Sequence, residues 1–331
     1  MELGSRSRRR LLRKLAEKAV ADFNLHKPRL RYLAEHTSVL FSVTDSHGRQ
    51  YVLKIANPED YSEKELLGGL SWLECLHELS AFPATKPLRT VSGSLCTTVT
   101  QCPDNGLTRK CMLFTWVPGV GLYHRLSKPN AYKWGRLLAL MHQQSQKIKT
   151  SALTRQLPRY DKVFHWDEQV LLLEKDNELL PAKRTEVFRK AISRVSFAIK
   201  DLFKSGNSPI VLHGDLHPDN LKVFKGELYA LDFADCMWGF PIQDLSIALT
   251  YIRERQNYRR LRTAFEEGYK SIQNWPEEKP GQIETFFMGR LIVIANALVK
   301  SKEHCENACE TIHSRLARYE TEFKKYLDRF P

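Results

Sequence analysis

The stretch VLHGDLHPDN, Val211 to Asn220, decides how this chain is read. Two histidines, two aspartates and an asparagine crowd into eight residues directly after an apolar run, and Pro218 prevents simple continuation of a helix. Three readings compete: a divalent metal site, a phosphoryl-transfer loop, or a hydrogen-bonded turn between two strands. Downstream, LKVF and LYALDF flank a turn at Lys225-Gly226, the pattern of a β-hairpin. Such a hairpin folds back on itself, so Asp232, at its end, is expected beside Asn220, at its start.

An aspartate and an asparagine converging on one point suit a hard ion such as Mg²⁺, which binds few protein oxygens and completes its shell with substrate phosphates. Asp215 is then free to orient and deprotonate an attacking hydroxyl. Kinase-type phosphoryl transfer divides its labour in this way. That chemistry also needs a cation on the nucleotide phosphates, and YVLKIA supplies Lys54 within a β-strand pattern.

Working outward, residues 30 to 56 alternate like a β-meander with a turn at Ser46-His47-Gly48, and residues 62 to 79 change to helical period. SLCTTVT and KCMLFTWV read as two more strands. After VPGVGL the helical patterns dominate, interrupted only by the β island at residues 209 to 233. The expected architecture is α+β and bilobal. An amino-terminal lobe, residues 1–115, carries a basic helix (8–24) and the sheet with Lys54. A mostly helical lobe, residues 116–331, carries the loop 213–220 and the hairpin 221–233.

The residues VLHGDLHPDNL, ALDFADCMWGFPIQDLSIAL, YVLKIA and CMLFTWVPG resemble the aminoglycoside phosphotransferase and choline kinase-like enzymes, which share the protein-kinase-like fold. The resemblance runs from about Leu30 to Lys270. It implies Asp215 as catalytic base, Asn220 and Asp232 as magnesium ligands, Lys54 on the α and β phosphates of ATP or GTP, and adenine against the backbone at Phe114 to Trp116. It also implies His213 and Asp244 as braces of the loop. Two departures are visible. Gly69 stands where a glutamate partner of the lysine is expected, which leaves Glu65, one turn earlier, for that role. The phosphate-covering segment AEHTSVLF is poor in glycine and offers Thr37 and Ser38 instead.

The 331 residues carry a formal net charge of +13. Ten Lys/Arg among residues 1–31, against Glu2, Glu17 and Asp22, account for +7 of it. The excess is therefore one amphipathic segment, expected as a solvated helix face with a frayed start, and a nucleic-acid partner is not expected because aromatics for base stacking are absent before Phe23. The most apolar stretch, LIVIANALV at residues 291–299, is too short to span a bilayer and reads as a buried helix. Seven cysteines without a C-x-x-C pair fit reduced thiols in a cytoplasmic protein.

One acidic window, Asp161 to Glu178, follows the first helix of the second lobe; Tyr160, Phe164 and Trp166 there, with His217 and Asp235, are candidates for a substrate wall that holds an alkylammonium by cation–π contact. The expected acceptor is a hydroxyl of a small molecule: an amino alcohol, a homoserine-like metabolite or an aminoglycoside-like compound. Alternatives are a protein serine or threonine as acceptor, a catalytically degenerate binding module using the basic amino terminus, and a zinc or di-metal hydrolase built on His213 and His217.

Overall fold

The alternating segments become strands. β1 (Arg29–Glu35), β2 (Ser38–Thr44) and β3 (Gln50–Ala56) form an antiparallel meander, continued by β4 (Pro87–Leu88), β5 (Thr97–Cys102) and β6 (Leu107–Thr115) into a six-stranded sheet of order β1-β2-β3-β6-β4, with β5 also on β6. A computed structural model describes residues 5–35, 38–57, 62–79, 82–102, 107–148, 151–165, 169–174, 177–301 and 309–330. The β2–β3 turn falls at Ser46-His47-Gly48: Asp45 Oδ1 accepts the N–H groups of His47 and Arg49, both at 2.9 Å, and Gly48 supplies a φ of +77°.

α1 (Ser5–Ala21) is the amphipathic amino-terminal helix. Its apolar stripe, Leu12, Leu15, Ala16, Ala19 and Val20, is buried in one cluster with Val39, Phe41 and Val43 of the sheet, so the helix joins the core by that face while its basic face stays solvated. Each buried leucine contributes about 1.5–3 kcal/mol. The basic residues lie on the outside, where Arg8 pairs with Glu35 at 2.5 Å and Arg9 stacks over Tyr32.

α2 (Glu63–Glu78) follows, capped by Ser62. The remaining elements are β7 (Val120–Gly121), α3 (Lys128–Lys147), α4 (Ala182–Lys204), β8 (Ile210–Leu212), β9 (Leu221–Phe224), β10 (Glu227–Ala230), β11 (Met237–Gly239), α5 (Pro241–Thr250), α6 (Tyr258–Lys270), α7 (Gln282–Ser301) and α8 (Cys309–Arg329). They sort into two compact units. One takes Met1–Arg125, Lys147–Leu157 and Asp219–Cys236; the other takes Leu126–Gln146, Pro158–Pro218 and Met237–Pro331.

The expected boundary at residue 115 therefore lies elsewhere, and the hairpin 221–233 packs with the first unit instead of the helical one. The reason is backbone pairing: β7 adds to β9, and the N–H of Thr85 donates to the carbonyl of Ala230 at 3.0 Å. In the helical unit α3 and α6 touch backbone to backbone. A methyl group at Gly135 would collide with the Phe265 carbonyl, and one at Gly268 with that of Tyr132. α7 is long and apolar enough by composition to cross a membrane, with a mean hydropathy of 1.4, yet 72% of that window is buried inside the protein, as a core helix requires.

Candidate active site

The hairpin forms as its turn residues dictate. Lys225 (φ +48°) and Gly226 (φ +81°) supply the two left-handed positions of a tight turn, and β10 runs back along β9 from Glu227 opposite Phe224 to Ala230 opposite Leu221. One residue further the N–H of Leu231 donates to the carbonyl of Asn220 at 2.9 Å. Asp232 thus arrives beside Asn220. Its own φ is +57°, a left-handed conformation that aspartate tolerates better than most residues.

Lys54 lies mid-strand in β3, between Leu40 of β2 and Met112 of β6, and is 7% exposed. Its Nζ donates to Asp232 Oδ1 at 2.7 Å. Glu65 is occupied elsewhere: its carboxylate accepts the N–H of Ser62 at 2.8 Å while its own N–H donates to Ser62 Oγ at 3.2 Å, a complete capping box. Asp232 is an anion that meets Lys54, and Glu65 serves the helix start. Gly69 has a separate cause. A side chain there would strike the carbonyl of Phe233, so glycine lets α2 approach the segment that carries Asp232. Trp72, one turn along, packs on the Phe233 ring at 5.6 Å.

A cavity of about 270 Å³ opens in this unit, lined by Lys54, Phe114, Trp116, Asn220 and Asp232 among others. Two further lining residues, Asp219 and Lys222, are outside the expected set. Lys222 donates to the carbonyl of Val117 at 2.8 Å and sits 4.6 Å above the Trp116 ring; burial lowers its pKa. A lysine alternating with Leu221 and Val223 in a short strand was the available signal. Ser38 is 5% exposed and its Oγ has no hydrogen-bond partner, while Thr37 lies outside the described residues.

The loop residues up to Pro218 belong to the helical unit, where Asp244, on the first turn of α5, organises them. Its Oδ2 accepts the N–H of His213 and its Oδ1 that of Gly214, both at 3.0 Å, and His142 Nε2 lies 3.1 Å from Oδ2. Burial works against this charge, but the hydrogen bond and charge of His142, with His213, outweigh it and hold the carboxyl below its ordinary value. The N–H of Asp215 in turn donates to His213 Nδ1 at 3.3 Å. Both bracing residues act within the loop's own unit.

Asp215 Oδ1 accepts a 2.5 Å hydrogen bond from Arg290 of α7, and Oδ2 lies 3.3 Å from His217 Nε2. Arg290 is absent from the expected set. A charged residue in the otherwise apolar MGRLIVIAN was its signal, because an arginine on a buried helix needs a partner. Among the proposed wall residues, Tyr160 is 2% exposed, packs on His165 at 4.5 Å and has its hydroxyl pKa pushed up to about 12 by burial; it is a core residue. His217 is held by Asp215 and Tyr251, Asp235 is half-buried, and Trp166 lies outside the described residues.

Asn220 and Asp232 fit a divalent ion that keeps most of its shell for water and phosphate. Among the described residues no three His, Cys, Asp or Glu side chains cluster as a complete protein cage, so such an ion would rely on substrate oxygens.

A β-rich unit in which a buried lysine meets an accessible aspartate, and a helical unit with a braced His-Gly-Asp loop, define a protein-kinase-like fold. The chain belongs to the phosphotransferase enzyme family, whose model matches residues 30–280. It is 28% identical over 239 residues to amicoumacin kinase of Bacillus subtilis (strain 168), covering 71% of this chain and 66%, just under two thirds, of that curated relative. Among solved structures, amicoumacin kinase hAmiN in complex with AMP-PNP, Ca²⁺ and Ami superposes with a TM-score of 0.79 at 20% identity, covering 99% of this chain and 97% of that one. A microcompartment-associated aminopropanol kinase gives 0.77 at 19% identity, covering 96% and 98%. At these identities the structural likeness establishes the fold.

Proposed function

We propose that the protein transfers the γ-phosphoryl group of ATP to a hydroxyl of a small, amine-bearing molecule. The observation that carries this reading is the Lys54–Asp232 pair at 2.7 Å beside Asn220 on the wall of one cavity, an arrangement a mere turn would not require. In this reading Lys54 binds the α and β phosphates, and Phe114, Trp116 and Val117 receive the base. Asn220 and Asp232 would hold Mg²⁺, which would supply positive charge against the nucleotide phosphates.

Asp215 takes the proton of the acceptor hydroxyl as that oxygen bonds to the γ-phosphorus. The bond from phosphorus to the bridging oxygen breaks, and its electron pair leaves with the nucleoside diphosphate. The likeness to an aminopropanol kinase favours the amine-bearing class.

The test is a screen with γ-labelled ATP and Mg²⁺ over amino alcohols, homoserine-like compounds and aminoglycosides, with a generic protein substrate alongside. A phosphorylated amino alcohol whose formation drops by about 10²-fold or more in Asp215→Asn supports the reading. Label appearing only on the protein substrate would replace the acceptor class, and full turnover in Asp215→Asn would remove the base.

A further inference from the structure

Arg290 stands in the middle of α7, 8% exposed, among Met288, Leu291 and Ile292. Burying a guanidinium costs several kcal/mol unless well-placed anions and hydrogen bonds compensate, and an apolar residue of similar volume would serve packing as well or better. Its position therefore calls for a reason beyond the core. Burial weakens its charge, but Asp215 and Tyr251 outweigh burial and hold the guanidinium above its ordinary pKa.

The contacts close a ring. Arg290 Nη2 donates to Asp215 Oδ1 at 2.5 Å and to Tyr251 Oη at 2.7 Å, with its guanidinium 5.5 Å from the Tyr251 ring centroid. The His217 imidazole stacks on the same tyrosine at 4.4 Å and 26°, which puts Nε2 at 3.3 Å from Asp215 Oδ2. Each carboxylate oxygen thus has its own neighbour: an arginine that only donates at Oδ1, and an imidazole at Oδ2. A carboxylate on a short side chain turns freely about its last bond, whereas one gripped at Oδ1 from a rigid core helix does not.

Resting on the reading of Asp215 as base, we propose that Arg290 is its positioning residue: by occupying Oδ1 it leaves Oδ2 as the oxygen that receives the acceptor proton. His217, kept flat by Tyr251, marks the place of the incoming hydroxyl. The hydroxyl enters by exchanging with the His217 contact, while the arginine contact persists through the reaction.

The experiment measures turnover of Mg·ATP with aminopropanol, and in a parallel arm with water as acceptor, for wild type, Asp215→Asn, Arg290→Ala and Arg290→Lys. Circular dichroism and melting temperature report folding. Arg290→Ala is expected to lower kcat by about 10²-fold with KM for the nucleotide within about threefold, because orientation is lost and nucleotide binding is not. Added guanidinium ion at millimolar concentration should restore part of kcat, which a purely structural role would not produce. Arg290→Lys, which keeps the charge but lacks the planar fork, should fall by about tenfold.

If folded Arg290→Ala keeps kcat near wild type while Asp215→Asn loses it, the positioning role is overturned and the base reading stands. Where Arg290→Ala does not fold, an undiminished kcat in Arg290→Lys has the same force. Undiminished turnover in Asp215→Asn overturns both.

Discussion

The ammonium of Lys54 and the carboxylate of Asp232 meet at 2.7 Å, although 178 positions separate them in the chain. The lysine is largely buried and the aspartate side chain is 43% exposed, so one partner is fixed and the other remains accessible. In the proposed reading, phosphate oxygens arriving at Lys54 would replace Asp232 without leaving the ammonium unpaired, and the released carboxylate would be available to an ion.

Asp232→Asn is expected to fold, because asparagine tolerates a left-handed φ, and to weaken Mg²⁺-dependent binding of AMP-PNP by tenfold or more, about 1.4 kcal/mol, measured by titration calorimetry with and without Mg²⁺. Asp232→Ala should lose the same binding and in addition be less stable than Asp232→Asn by about 1–2 kcal/mol, since alanine resists the +57° φ found there. Unchanged Mg²⁺-dependence in both variants would refute the ligand role.

Gly69→Ala should cost about 1–3 kcal/mol in a denaturant titration, because its methyl would meet backbone rather than a movable side chain. The collision partner is the carbonyl of Phe233, next to Asp232, so nucleotide affinity should fall along with stability. Gly48→Ala, where the added methyl meets nothing, provides the comparison: it strains one turn and should leave nucleotide binding intact.

Removing Asp244 leaves two loop N–H groups and His142 without their shared acceptor in a fully buried place. Asp244→Ala is expected to lose about 3–5 kcal/mol of stability. The folded-state carboxyl is held below its usual value, so this stabilisation is complete above the unfolded pKa, near about 4, and fades as pH falls through the lower folded value. The gap in stability between wild type and Asp244→Asn should therefore be constant from neutral pH down to about pH 4 and shrink only below it.

His165 titrates with a different window. Burial first, and the charge of Arg290 second, depress its pKa to about 3 from 6.5. The unfolded chain takes up the proton near pH 6.5 and the folded chain does not, so stability is full above about pH 6.5 and is progressively lost between there and about pH 3. His165→Phe, which keeps an aromatic ring against Tyr160, should flatten that decline in urea midpoints measured between about pH 7 and 4. A decline identical to wild type would show that another group is responsible.

Much of the candidate site was readable before any coordinates. The turn pair Lys225-Gly226 imposes the hairpin, and the hairpin's length sets Asp232 against Asn220, because strand pairing is a local consequence of alternation and turn chemistry. Lys54 was legible as a strand lysine among apolar neighbours. Tyr160 was misread as a wall residue because aromatic composition does not say which side of a loop is covered. Glu65 was misread because a glutamate three residues after a serine serves a helix start as well as it serves an ion pair.

By itself the sequence determined the elements, the His-Gly-Asp loop, the hairpin and the membership of a kinase-like family, since each depends on residues close together in the chain. Only the tertiary structure decided that α1 joins the core by its apolar face, that Asp232 meets Lys54 while Glu65 serves the helix start, and that Arg290 grips Asp215 from 75 positions away. Periodicity reveals which face of an element is apolar. Which charged side chain finds which partner depends on how those faces pack, and that is set by long-range contacts no local pattern encodes.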